Sequence, residues 1–256
     1  MPTLGCELDK RDDRDYSYSD IMYKVVTPKK INYMGKMGPI KNQKRRGACV
    51  AFATCAPKEF QENKQPWNKG PMDLSEEFIY RQIRIKGLGG AYPREAMKLL
   101  VKRGVCREGL MPYNDRITSD SQEKPFTLRK YRRAVGNARK HRAQGYVRLN
   151  SLAQIKESLV VNGPCLLGLS WLSGWLNLRN AKSVGGFPVL HSSEGEVVGG
   201  HAICIVGYDD TKRVFIIRNS WGTSWGRKGY ALLSYDALGR NYDAWATFDW
   251  TNPLVK

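Results

Sequence analysis

Residues 41–56 read KNQKRRGACVAFATCA, and this stretch decides how the rest of the chain is arranged. A polar, cationic loop ends at Gly47, and from Ala48 the residues turn small and apolar, with Glu59, Phe60 and Glu62 continuing at helical spacing. The reading is a buried helix that opens on Cys49. Pro57 falls inside it, and because proline removes a helix hydrogen bond a kink or break is expected there. A thiol at a helix start is favoured as thiolate by the N–H groups that have no partner inside the helix. Gln43, six residues upstream across a glycine-containing loop, can aim a side-chain amide at the same point.

Around this stretch, Asp73 with Glu76 three residues on has the pattern of a helix start, and the helix is expected to run to about Lys86. Residues 94–103 give a further helix closed by Gly104, and residues 151–161 another. Short strands follow at 165–169, 202–206, 214–218 and 230–233. Helices first and strands later argue for an α+β protein, with a helical lobe over about 38–123 and a β-rich lobe over about 145–250. Together they form one body over 31–256. Residues 1–30, polar with Tyr16, Tyr18 and Tyr23 as the main apolar mass, read as an extended arm laid on that body. No internal repeat is visible.

The chain has 256 residues, 41% hydrophobic and 26% charged, which excludes a disordered chain and a small disulfide-stapled scaffold. No apolar run is long enough to span a bilayer, and Met1-Pro2-Thr3 leads into charged residues with no secretory h-region. A cytoplasmic or otherwise non-secreted protein is expected. The cysteines at 6, 49, 55, 106, 165 and 204 form no C-x-x-C pair, so structural zinc is not expected and free thiols are. Cys55, Cys165 and Cys204 sit in apolar runs as core thiols. The formal charge of +18 makes an anionic partner a candidate. Lys124 to Arg148 holds nine Lys or Arg, with His141 and no acid, which reads either as a solvated face or as the place where a nucleic acid or other polyanion would bind.

Downstream, Gly199-Gly200-His201-Ala202 puts a histidine at the start of an apolar strand, and another strand ends in Arg218-Asn219-Ser220-Trp221-Gly222. Two neighbouring strands would bring His201 and Asn219 together. Asn219 would hold one ring nitrogen and leave the other to face Cys49, the arrangement of nucleophile, base and orienting group that activates a thiol. His191, in a polar stretch, reads as a surface residue, and Trp171 and Trp175 as cleft wall or core.

These motifs resemble the papain-like cysteine peptidases. KNQ-x-x-x-GACVAFA at 41–53, GGHAICIVGYDD at 199–210 and IIRNSWGTSWGRKGY at 216–230 are similar to the family's nucleophile, histidine and asparagine segments, and the resemblance extends from about residue 38 to about 235. It implies a two-lobed fold, a helical left lobe and a β-barrel-like right lobe with the active site in the cleft between. It implies further that Cys49 is the nucleophile, His201 its general base and acid and Asn219 the residue that orients it. Gln43, with the Cys49 amide, would form the oxyanion hole. Gly90 with Gly89, Gly200 and Trp221 would meet substrate, Gly90 by letting an extended peptide approach its backbone and Trp221 by covering the Asn219–His201 bond. The implied reaction is peptide-bond hydrolysis through a thioacyl-enzyme on a protein or peptide substrate, without metal or organic cofactor. An isopeptidase, deamidase or transpeptidase keeps the same residues with another bond or acceptor, and a basic nucleic-acid-associated protein with a secondary catalytic site is the other reading.

The chain departs from the family in places. Arg46 stands where a cysteine is usual three residues before the nucleophile, and no cysteine stands near Tyr80, so the disulfide of those positions is absent. Val50 replaces an aromatic residue, and Gly200 precedes His201 where aspartate is common. The 48 residues before Cys49 are too few for the family's long inhibitory propeptide, and the arm with Asp12, Arg14, Asp15 and Tyr16 is similar to that of prokaryotic and viral members made without one.

Overall fold

The computed structural model describes residues 3–21, 24–68, 70–117, 122–179, 181–239 and 242–249. A short helix α1 (Tyr18–Ile21) and strand β1 (Lys30–Asn32) lead to helix α2 (Cys49–Asn63), the centre of the helical part. Every residue of α2 from Cys49 to Glu62 is buried. Alanine, cysteine and threonine in its first half let neighbouring backbones come close. Pro57 does not break it, contrary to the sequence expectation. Packing on all sides of the helix outweighs the roughly 3 kcal/mol a mid-helix proline costs.

The polar residues that α2 buries are paired. Lys58 Nζ meets Glu62 at 2.8 Å and Asp249 at 2.9 Å. Glu59 meets Lys41 at 2.9 Å, and the same ammonium reaches Asp73 at 2.7 Å and Glu76 at 2.8 Å. That bond takes Asp73 away from capping. Helix α3 (Glu76–Ile83) is capped instead by Ser75, whose Oγ accepts from the Phe78 N–H at 3.0 Å, and it stops three residues short of Lys86. Helix α4 (Pro93–Lys102) begins on proline and ends at Gly104, where φ is +78° and the N–H returns to the Leu99 and Leu100 carbonyls. Helices α5 (Leu128–Ala138) and α6 (Leu152–Val161) are capped by Thr127 and Ser151.

The strands β2 (Gly145–Leu149), β3 (Cys165–Leu172), β4 (Ser183–Val184), β5 (Phe187–Leu190), β6 (Val197–Asp209), β7 (Val214–Arg218), β8 (Tyr230–Ser234) and β9 (Tyr242–Phe248) lie side by side in the order β2-β9-β3-β6-β7-β8-β5-β4, with β1 added on β6. All pairs are antiparallel except β5 with β8. The path runs from β2 to β4 without closing, so the barrel-like arrangement expected from the resemblance is an open mixed sheet in an α+β fold. Strand β6 begins at Val197, which puts His201 inside it rather than at its start, opposite Leu169 of β3.

One apolar cluster gathers α2, α3 and α4 around Phe78, Met97 and Leu100, and a second lies within the sheet around Trp171, Phe215 and Trp225. Cys49 and Ala202 both belong to the first cluster, so the start of α2 meets the middle of β6. All six cysteines are free and buried. No helix of the described residues is long and apolar enough to cross a membrane.

Candidate active site

Helix α2 delivers Cys49 at its first residue, with no side-chain cap, so the first-turn N–H groups are open toward the sulfur. The backbone N–H groups of Val50, of Ala202 next to His201, and of Gly5 favour the thiolate form of Cys49. Strand β6 carries His201, and β7 ends one residue before Asn219, so two adjacent strands set these side chains together. His201 Nε2 lies 2.8 Å from Asn219 Oδ1. The same oxygen accepts the Ser220 N–H at 2.7 Å. An amide oxygen can only accept, so Nε2 carries the proton and Nδ1 is left with its lone pair. That nitrogen is buried without a hydrogen-bond partner among the described residues.

Gln43 reaches the site across the Lys41–Gly47 loop. Its N–H donates to the Ser220 carbonyl at 2.8 Å, and its Oε1 accepts from Ser220 Oγ at 2.6 Å. Its Nε2 donates to the Arg46 carbonyl at 2.9 Å and to the Thr3 carbonyl at 2.9 Å. Trp221 lies on the His201 ring at 4.6 Å between centroids, tilted 33°. Trp171 meets the His201 ring edge-on at 4.7 Å and packs against Trp221 at 5.3 Å.

The cleft at these groups is filled by residues 3–9 of the chain. Gly5 and Cys6 donate to the Gly200 carbonyl at 3.1 and 3.0 Å, and Glu7 donates to Ala91 O at 3.0 Å while Ala91 N–H donates to Gly5 O at 2.9 Å. The strap therefore pairs parallel to Ala91, one residue beyond the Gly90 picked out in the sequence. Glycines permit the fit. A Cβ on Gly5 would stand 2.4 Å from the Gly47 carbonyl oxygen, and one on Gly200 would stand 1.9 Å from that of Cys6. Gly90 has φ +74°, with its Cβ position 2.9 Å from Gly5 O. Beyond the cleft the strap is clamped by charge: Asp9 accepts from the Arg94 N–H at 2.6 Å, Asp15 meets Arg94 at 2.5 Å and Arg148 at 3.3 Å, and Arg148 meets Asp243 at 2.9 Å.

Under the strap Cys49 and His201 are both 0% exposed. Burial pushes the Cys49 thiol up to about 11, against the backbone N–H groups that pull it down, and lowers His201 to about 4 despite the Asn219 bond. Both groups are uncharged at neutral pH in this closed arrangement.

The structure thus brings Gln43, Cys49, His201, Asn219, Gly200 and Trp221 to one place, with Gly90 beside the strap; Gly89, at φ +69°, sits in the preceding turn and donates to Ile85 O at 3.1 Å. Trp171, read from the sequence as cleft wall or core, lies against His201; Ser220 and the strap were not singled out as site parts. The Ser220 signal was its position directly after Asn219, and Cys6 had no assignable place in the sequence. Arg46, in the position of the family's cysteine, puts its guanidinium 4.8 Å from the Tyr80 ring centre and 5.1 Å from that of Tyr113, and bonds Glu77 at 2.5 Å and Glu123. An ionic and aromatic tie joins the regions a disulfide would have joined.

The basic run is divided. His141 is buried on Glu62 at 2.8 Å and Arg148 belongs to the strap clamp, so neither is part of a surface patch. Arg129, Lys130, Arg132, Arg133, Arg139 and Lys140 are exposed and have no ion pair among the described residues. Among the described residues no group of three or more His, Cys, Asp or Glu is arranged to hold a metal ion.

The profile of the papain family cysteine proteases matches residues 27–243, and the chain belongs to that family. The peptidase C1-like protein L477 of Acanthamoeba polyphaga mimivirus is 27% identical over 218 residues, covering 82% of this chain and 69% of that protein. Chymopapain of Carica papaya is 29% identical over 233 residues, covering 85% of this chain and 58% of that protein. The chain therefore spans well short of the full length of these relatives. In three dimensions it is similar to xylellain, a cysteine protease from Xylella fastidiosa, with a TM-score of 0.79, 28% identity and 96% of each chain covered.

Proposed function

We propose that this chain hydrolyses peptide bonds through a thioacyl-enzyme formed on Cys49, in a cleft between a helical lobe and the sheet. His201 Nδ1 takes the thiol proton, and the sulfur attacks the substrate carbonyl carbon. The oxyanion is held by Gln43 Nε2 and the Cys49 N–H. His201 then gives its proton to the leaving amine as the C–N bond breaks, and water attacks the thioester with His201 again as base, releasing the acid. The observation that carries this reading is the fixed ring of His201, protonated on Nε2 by its 2.8 Å bond to Asn219 and free on Nδ1. The Thr3 carbonyl, seated on the Gln43 amide at 2.9 Å, supports the oxyanion hole, because it shows a carbonyl fits there.

Turnover requires residues 3–9 to leave the cleft, since a site with Cys49 and His201 fully buried admits no substrate. The test is peptide-library digestion with product masses, beside iodoacetamide labelling with the modified residue mapped. Hydrolysis that disappears in Cys49→Ala is the expected result. Full hydrolysis by Cys49→Ala overturns the reading, and loss of an amide or ligation in place of hydrolysis reassigns the chemistry to a deamidase or transpeptidase.

A second reading adds a polyanion partner at α5. It rests on the exposed cations at 129, 130, 132, 133, 139 and 140, set against acids such as Glu59, Glu62, Glu76, Glu77 and Asp243 that are buried and do not offset them at the surface. Retention on single-stranded DNA that falls steeply with salt, and falls further when residues 129, 130, 132 and 133 are changed to Gln, is expected. Retention insensitive to those changes removes this reading. The six unpaired thiols favour a reducing compartment as the place of action.

A further inference from the structure

Beside the strap-filled part of the cleft lies an open cavity of about 960 Å³, with Trp221 and Trp225 in its wall. Four cations line it, Lys44, Arg45, Arg179 and Arg227, against one acid, Asp115. Arg227 is held in place by a 2.7 Å bond to Gly185 O and by the Phe187 ring 4.6 Å away. Lys44, Arg45 and Arg179 are exposed and make no ion pair among the described residues. Lys44 has φ +55°, a conformation that disfavours a side chain and is held by its N–H bond to Asn42 Oδ1 at 2.8 Å.

The side of the scissile bond that this cavity serves follows from the chemistry. In the peptidase reading, on which this inference rests, His201 hands a proton to the leaving amine, so the leaving segment lies against His201 and the Trp221 packed on it. The strap's pairing with Ala91 lies outside the wall of this cavity and leaves that ground to the acyl part. We propose that the cavity binds the leaving segment of the substrate and selects acidic side chains there, with Lys44, Arg45 and Arg179 as specificity-determining residues. The apolar wall accepts the peptide's stem while the cations meet its carboxylates, a pairing that strengthens with desolvation and weakens with salt.

The cavity is open while residues 3–9 remain in the cleft, so binding can be read without turnover. In the full chain carrying Cys49→Ala, the tetrapeptide amide Ala-Asp-Glu-Ala is expected to bind at least about tenfold tighter than Ala-Lys-Arg-Ala in low salt, the gap closing at high salt. Lys44→Glu with Arg45→Glu is expected to reverse that order. Lys24→Glu with Lys102→Glu makes the same change of net charge elsewhere and serves as the comparison.

Equal binding of the two amides overturns the proposal. So does an equal loss from the comparison pair, which would assign the effect to net charge. Binding of Ala-Ala-Ala-Ala with a free carboxylate, and not of the acidic amide, would assign the cavity to a chain terminus and also overturn it. The same two sequences placed after a cleavable bond and offered to the Cys49 protein with the strap displaced by Gly5→Leu separate the two readings. Absence of any cleavage counts against the peptidase and leaves the binding result standing, whereas cleavage of both at one rate counts against the selectivity alone.

Discussion

Arg46→Met removes the guanidinium that ties the Gln43 loop to α3, and its cost can be worked from the contacts. Arg46 is 1% exposed at its side chain and bonds Glu77, which is 0% exposed, at 2.5 Å. Breaking one partner out of a buried pair costs about 3–5 kcal/mol, because the other charge stays buried. Here the lower end applies: Glu77 keeps Arg81 at 2.6 Å, and Glu123 keeps Arg84. Loss of the two ring contacts is partly offset by the apolar methionine that fills the same space. A destabilisation of about 3 kcal/mol lowers Tm by about 6–12 °C in a chain of this size. Thermal unfolding followed by calorimetry and near-UV circular dichroism measures it. In Arg46→Met with Glu77→Gln the uncompensated charge is gone, and the two changes should couple by about 1–3 kcal/mol. A single variant within about 2 °C of the parent, or strictly additive effects, refutes the argument that this pair replaces a covalent tie.

Gly5→Leu puts a Cβ where the Gly47 carbonyl stands 2.4 Å away, so the strap should be evicted and iodoacetamide labelling of Cys49 should accelerate at least tenfold, about 1.4 kcal/mol of lost closure; labelling at the parent rate refutes the strap's covering role. Gln43→Ala in a strap-released protein should lower kcat by about 100- to 1000-fold with Cys49 labelling retained, and a loss under about threefold would refute its place in the oxyanion hole. His201 is held neutral down to about pH 4 while an unfolded chain protonates it near 6.5, so between those values the unfolded state binds more protons and stability falls as pH falls through that window. Titration of the three histidine signals by NMR should find His201 unprotonated at pH 5 in the parent and shifted upward in Gly5→Leu, where water returns to the ring; an ordinary value near 6.5 in both refutes the burial argument.

The residues of the candidate site were legible because each sits in a segment whose backbone fixes its direction: Cys49 at a helix start, His201 inside a strand, Asn219 just past a strand end. What the sequence could not convey is which groups compete for the same partner. Asp73 has the chemistry of a helix cap, yet Lys41, half-buried beside Glu59 and Glu76, draws its carboxylate away and Ser75 caps the helix instead. His141 reads as one cation in a basic run, yet Glu62 on the buried face of α2 takes its ring nitrogen. The strap is hidden for a related reason. Its fit depends on Gly5, Gly47, Gly90 and Gly200 converging from four segments, each of which in isolation reads as an ordinary turn or strand glycine. In the peptidase reading proposed above, a substrate backbone approaching the same surface would use the same absent side chains at Gly47, Gly90 and Gly200, so the glycines that receive residues 3–9 would also receive a peptide. A side chain at Gly200 should therefore abolish strap and substrate binding together, whereas one at Gly5 removes the strap alone.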